Sequence, residues 1–233
     1  MAKITHNEEN PLLFFGPGLF CFLVELEANN DRGWFQAHKE RYESEAKAPM
    51  LRFIAALGEP LQGISKHFDA DPRPVGGSMF RIYRDTRFSL DKTPYKTHLG
   101  AQFRHQSSSE GVHGPGFYLH LEASNSFAGG GLWHPEPEPL RQVRERIVNH
   151  SKDWKTLRES GIEIEGEALK RVPQGFDPKH PLAEDLKLKD FYTSTAFTDK
   201  QVYAHDFLDR VAQAFRNASP LVKFMTKAMD LPW

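Results

Sequence analysis

The spacing of apolar residues changes twice along this chain, and that double change is the strongest constraint on what it can fold into. Up to Ser65 the spacing is helical. Leu19, Phe22, Leu23 and Leu26 follow Pro17 at i, i+3, i+4 and i+7, and Trp34, Phe35, His38 and Tyr42 follow Asp31, a good N-cap. A third helical run opens at Pro49 and carries Leu51, Ile54, Ala55, Leu57, Leu61 and Ile64, with Gly58 and Pro60 as points of kinking. The breaker run DADPRPVGG (69–77) ends this region. From Ser78 the period is two. SMFRIYR (78–84), THLGAQF (97–103) and GFYLHLE (116–122) each alternate, with Phe80 and Ile82, then Leu99, Ala101 and Phe103, then Phe117, Leu119 and Leu121 on the core side.

SFAGGGLW (126–133) adds a strand with a glycine bend, and RHQSSSEGVHGPG (104–116) reads as an exposed hairpin loop. Helical spacing returns at Pro139. Ser151 is placed to cap a short helix carrying Trp154 and Leu157, and Thr198 or Asp199 to cap a long one through Val211. Ser219-Pro220 then begins a last helix. Residues 161–197 mix short elements and loops. With no repeat and no linker between two cores, the expected fold is a single α+β domain over 1–233. It is helical over 17–68, a mainly antiparallel sheet over 78–133, and mainly helical over 139–233, with helices on one sheet face.

Composition removes several function classes. The 233 residues are 39% hydrophobic and 26% charged with a net charge of −1, so any affinity for nucleic acid or membrane must be local. Cys21 is the one cysteine, which excludes an intrachain disulfide and a thiolate cluster; its apolar neighbours predict a buried small hydrophobe. PLLFFGPGLFCFLVEL (11–26) is interrupted by Gly16-Pro17-Gly18 and has Glu8 and Glu9 before it. It suits neither a membrane span nor a secretory leader, so no membrane partner and a cytoplasmic location are expected.

The first chemical signal is FRIYRDTRFSLDKTPYKTHLGAQF (80–103). Arg81, Arg84, Arg87, Lys92 and Lys96 crowd one stretch against only Asp85 and Asp91. Arginine offers a planar fork and lysine a point charge for phosphate or carboxylate. Tyr83, Phe88 and Tyr95 offer flat surfaces, and Pro94 stiffens the loop. The simpler reading is that the two aspartates pair with Arg84 and Lys92 and the rest is a solvated loop. Further on, Lys187 and Lys189 either approach the same anion or form a solvated face.

The second signal is YLHLE (118–122) followed by a glycine triplet and Trp133. Tyr118, His120 and Glu122 share the non-core face, which suits proton transfer with His120 as the carrier. Two ligand types do not make a metal site, and spacing alone cannot bring His98, His113 or His134 to them, so no metal is assigned. Gly129-Gly130-Gly131 either lets a ligand approach the backbone or permits a bend past Trp133. No GxGxxG in a strand–helix context, phosphate loop, HExxH or GxSxG is present. The sequence specifies no cofactor and is silent on oligomeric state.

These two stretches, with EANNDRGWFQAHKERYE near the N-terminus and HPLAEDLKLKDF near the C-terminus, strongly resemble the uncharacterised family catalogued as domain of unknown function 2461. The resemblance covers nearly the whole chain and implies a stand-alone, soluble single-domain protein; it transfers no reaction. Its motif falls on Arg81, Arg84, Asp85, Arg87, Phe88, Asp91, Lys92, Pro94, Tyr95 and Lys96. A second part falls on Tyr118, His120, Phe127, Gly129, Gly130, Gly131 and Trp133. Leu90, where a polar residue is expected, and Ser124, where a glycine is, depart from it.

The reading that results is a small phosphorylated or carboxylated ligand held by Arg81, Arg84, Arg87, Lys92 and Lys96 beside Tyr95 and Trp133, with His120 moving a proton if chemistry follows. The alternative is a non-enzymatic module that contacts nucleic-acid backbone or an acidic protein partner. A third reading has the cations pairing internally.

Overall fold

The computed structural model describes residues 13–107 and 114–233. Helix α1 (Pro17–Ala28) is followed by α2 (Arg32–Ala37), α3 (Lys39–Arg41), a π-helical stretch (Tyr42–Lys47) and α4 (Ala48–Gln62). The carboxylate of Asp31 accepts hydrogen bonds from the Gly33 and Trp34 amides and caps α2 as its position predicts. Phe35 and Tyr42 are buried, and Trp34 packs against the same core. Pro60 lies in the last turn of α4, which runs on through it to Gln62.

The sheet has order β1-β2-β3-β4, antiparallel throughout: β1 (Leu99–Arg104), β2 (Gly116–Leu121), β3 (Ser126–Leu132) and β4 (Phe191–Phe197). Between β3 and β4 lie α5 (Pro137–Asn149), α6 (Ser151–Glu159) and α7 (Ala183–Leu186); α8 (Asp199–Val202) and α9 (Phe207–Ala228) complete the chain. Leu99, Ala101 and Phe103 of β1 and Phe117, Leu119 and Leu121 of β2 are all buried on one side, the faces that alternation predicts. Helix α9 lies across β2, β3 and β4. The fold is α+β, with an antiparallel sheet carrying helices on its apolar face. No described helix is long and apolar enough to cross a membrane.

Several expectations are corrected. Residues 78–84 are not a strand. Met79 bridges to Ala101 and Tyr83 to Tyr95, each in isolation. The Lys96 amide bonds the Ile82 carbonyl and the Arg84 amide bonds the Pro94 carbonyl, but Pro94 has no N–H to extend the ladder. β4 lies where short elements and loops were expected. Its centre is threonine, serine and alanine, and it is recruited by pairing with β3.

Ser219-Pro220 starts no helix but lies inside α9. Pro220 cannot bond the Arg216 carbonyl, and the Ser219 hydroxyl donates to that carbonyl instead at 2.8 Å. α8 and α9 are separate where one helix from Thr198 was expected, although Thr198 does cap α8 in a capping box with Gln201. The Ser151 hydroxyl bonds back to the Ile147 and Val148 carbonyls rather than capping α6. Cys21 is exposed, not buried. On a helix its face is shared with Gly18, Val24 and Glu25, not with the apolar residues beside it in sequence.

Packing requires the glycine triplet. A Cβ on Gly130 would lie 2.7 Å from Val222 Cγ2 of α9 and 2.8 Å from the Phe117 ring. A Cβ on Gly131, whose φ is +146°, would meet the Phe191 carbonyl of β4 at 2.1 Å. The triplet lets helix and edge strand close on β3 together. Gly131→Ala is expected to lower the unfolding free energy by at least about 1–3 kcal/mol, because the clash is with backbone. Gly58→Ala, in open space within α4, should raise it by up to about 1 kcal/mol. Urea unfolding of the two variants checks both signs.

Candidate functional site

Two constellations carry polar side chains, the first of them on the side of the sheet away from α9. The first is a line of polar side chains on β1 and β2. The Tyr118 hydroxyl lies 3.2 Å from His120 Nδ1, and His120 Nε2 lies 3.3 Å from Glu122 Oε2. Asn125 Nδ2 donates to the same carboxylate oxygen at 2.6 Å. The strand period puts these three groups on one face, as the sequence predicts.

His98 joins them. The register pairs Leu99 with Leu121, so His98, one place before β1, stands across from Glu122. Its ring lies 4.4 Å from that of His120, which in turn stacks on Phe127 at 4.8 Å. Gly100 sits opposite His120, and a Cβ there would meet the Tyr118 hydroxyl at 2.6 Å; the missing side chain makes room for the tyrosine. Spacing alone identifies no third partner for His120 and Glu122, and the register of a two-strand pairing is the signal that supplies it. His113 lies outside the described residues. His134 is elsewhere, its amide donating to Asp190.

Burial shapes the chemistry of this line. It pushes the His98 imidazolium down to about 4, helped by His120 and opposed by Glu122. It pushes His120 down too, against the pull of Glu122. Both rings are therefore neutral at neutral pH. Burial, with Glu122, pushes the Tyr118 phenol up to about 12. Burial works to raise the Glu122 carboxyl, but hydrogen bonds from Asn125 and His120 outweigh it and hold the group below its usual range. A run from phenol to imidazole to carboxylate can pass a proton along, and His98, His120 and Glu122 are also ligand types that hold a metal ion.

The second constellation contains the basic stretch, which does not converge on one point. Arg84 is held by Asp91 and by Thr93. Arg87 is held by Asp85 at 2.7 Å, and Lys92 Nζ donates to the Thr86 carbonyl at 2.8 Å. Internal pairing thus occurs, with Arg87 rather than Lys92 taking the second aspartate. Lys187 pairs with Glu184 and Lys189 with Glu167, as a solvated face would. Tyr95 is a core residue, stacked on Phe35 at 4.1 Å. Trp133 is exposed beyond the end of β3 remote from Phe127, the residue paired with His120, and its ring meets that of His134.

Arg81 and Lys96 are left. Lys96 Nζ lies 5.0 Å from the centre of the Phe80 ring, and burial followed by the charge of Arg81 lowers its pKa. Neither makes an ion pair with a described carboxylate. Phe80 and Arg81 line a groove of about 610 Å³ whose walls include Phe35, Tyr42, Tyr83 and Ile82, with Lys39, Lys47 and Arg104 also reaching it. Its acid, Glu43, is paired with Lys47 at 2.9 Å. Lys39, Lys47 and Arg104 come from segments where the sequence gives no sign of a shared site. A smaller hollow of about 320 Å³ lies across Tyr83, between Arg32, Arg84 and Tyr95.

The family model described as conserved hypothetical protein (DUF2461) matches residues 18–224, and the chain belongs to that family. No curated protein matches it.

The lowered histidines give a pH dependence with a definite sign. An unfolded histidine takes up a proton below about 6.5, whereas folded His98 does so only near 4. Between those values the unfolded chain binds more protons, so stability falls as pH falls. Chelator-treated protein should unfold at lower urea at pH 5 than at pH 7, and His98→Gln should flatten that difference. An unchanged midpoint across the window would contradict the assignment.

Proposed function

We propose that this member of the family binds a small phosphorylated or carboxylated ligand in the groove beside Arg81. The observation that carries the reading is Arg81, which lines the groove with Lys39 and Arg104 and makes no ion pair with a described carboxylate. Its charge acts on Asp85, which is itself held by Arg87, and on Lys96, which lies over the Phe80 ring of the groove wall. An oxyanion in the groove would give Arg81 the direct partner that no described carboxylate provides. The aromatic and aliphatic wall of Phe35, Tyr42, Phe80, Ile82 and Tyr83 offers the apolar part of the ligand a surface, and the volume falls in the range of small-molecule sites. Lys39 and Arg104 extend the positive field along the groove.

In this reading the site keeps Arg81 from the basic stretch, with Lys96 over the Phe80 ring but not among the lining residues. Arg84, Lys92 and Arg87 shape the loop by their own pairings, with Arg84 also facing the smaller hollow.

Calorimetric titration with inorganic phosphate, sugar phosphates, nucleotides and dicarboxylates, at low and high salt, tests the proposal. Arg81→Ala should weaken binding about 10-fold or more, the worth of a hydrogen bond to a charged group. Arg87→Ala should leave it unchanged. Equal affinity in wild type and Arg81→Ala would overturn the site. Oligonucleotide binding that falls steeply with salt, without small-anion binding, would instead favour the backbone-contact reading.

A further inference from the structure

We propose that His98, His120 and Glu122 together hold one divalent transition-metal ion on the β1–β2 face, a site separate from the anion groove. The nitrogen and oxygen ligand atoms of the three residues all lie within 4.8 Å of one another. Metal–ligand bonds of about 2.0–2.2 Å meeting at tetrahedral angles place ligand atoms roughly 3.4 Å apart. The His120–Glu122 edge, at 3.3 Å, already has that length. Only His98 has to draw in, and it precedes β1 in a bend, where its backbone is not fixed by the ladder.

Three further features favour a metal over a structural cluster. The ring nitrogens of His98 make no hydrogen bond with a described residue, although the ring is half-buried against His120. His120 is fixed from its far side: with Nε2 on the ion, Nδ1–H donates to the Tyr118 oxygen 3.2 Å away, the outer partner that metal-bound imidazoles commonly have. Glu122 is oriented by Asn125, and the stacked Phe127 ring walls one side of His120. With the ion in place, His120 holds it rather than carrying a proton.

The ligand set names the class of ion. Two imidazoles and one carboxylate suit zinc or another late first-row divalent ion, whereas magnesium and calcium prefer oxygen alone. Three protein ligands leave at least one position open, and the partial exposure of His98 and Glu122 gives that position access to solvent.

The test uses the full-length protein, treated with chelator and dialysed, then titrated with Zn²⁺ by calorimetry and with Co²⁺ by its visible absorption. The expected result is one equivalent bound, with no response to Mg²⁺. Glu122→Gln and His98→Gln should each weaken Zn²⁺ more than about 100-fold, and Tyr118→Phe about 10- to 100-fold, the usual cost of losing an outer partner. Circular dichroism of each variant separates lost ligation from lost fold. Absence of Zn²⁺ binding, or one equivalent bound unchanged by both ligand substitutions, would overturn the proposal. Arg81→Ala should bind Zn²⁺ as wild type does, so this site and the anion groove succeed or fail independently.

Discussion

The seat of α9 on the glycines of β3 is the contact on which the rest of the molecule depends. Val222 occupies the space that a side chain on Gly130 would take, while Phe191 and Thr193 of β4 approach the same strand from its edge. α9 then supplies Phe207, Val211, Phe215 and Val222 to one hydrophobic cluster and Leu221, Phe224 and Met225 to a second. The first cluster joins the N-terminal helices to β1 and β2. The second joins α5 and α6, through Val143, Ile147 and Trp154, to Leu132 and Phe191. A wider β3 would separate helix from sheet, and both clusters would lose their shared wall.

With the apolar face taken by α9, the opposite face of β1 and β2 is free to carry polar groups. The chain between Ser78 and His98 borders it. The Phe80 amide bonds the Gly100 carbonyl, and the Gln102 amide bonds the Ser78 carbonyl, along the outer edge of β1. The Phe80 ring lies 6.1 Å from that of Tyr118, so the groove wall and the polar line share a boundary. Desolvation follows from this cover. It keeps His98 and His120 neutral and Tyr118 protonated, and it leaves Lys96 a weaker base than a free lysine.

Charge in the basic stretch is distributed by reach. Asp85 and Asp91 lie within a few residues of Arg87 and Arg84, so short loop contacts satisfy those pairs first. Exposed pairs of this kind add little stability, about 0–1 kcal/mol, but they fix which cations stay available. Arg81 and Lys96 form no ion pair there, although the charge of Arg81 acts on Asp85. Cations that lie together in the sequence are thus divided among separate contacts in the fold.

What the sequence determined by itself is what depends on near neighbours. The alternation of Leu99, Ala101 and Phe103 and of Phe117, Leu119 and Leu121 decided which face would be buried. It also put Tyr118, His120 and Glu122 on the other. Asp31 and Thr198 marked helix starts because an N-cap bond spans only two or three residues. Tertiary structure decided the rest. β4, with a polar centre, is a strand because β3 pairs with it, and α9 runs through Pro220 because its buried face and the Ser219 hydroxyl offset the missing bond. His98 meets Glu122 by cross-strand register, and Arg81 shares a groove with Lys39 and Arg104 through the folding of a breaker-rich loop beside the N-terminal helices. Periodicity records the side on which a residue will lie. Which residue from a distant segment will lie beside it depends on contacts made only when the chain closes.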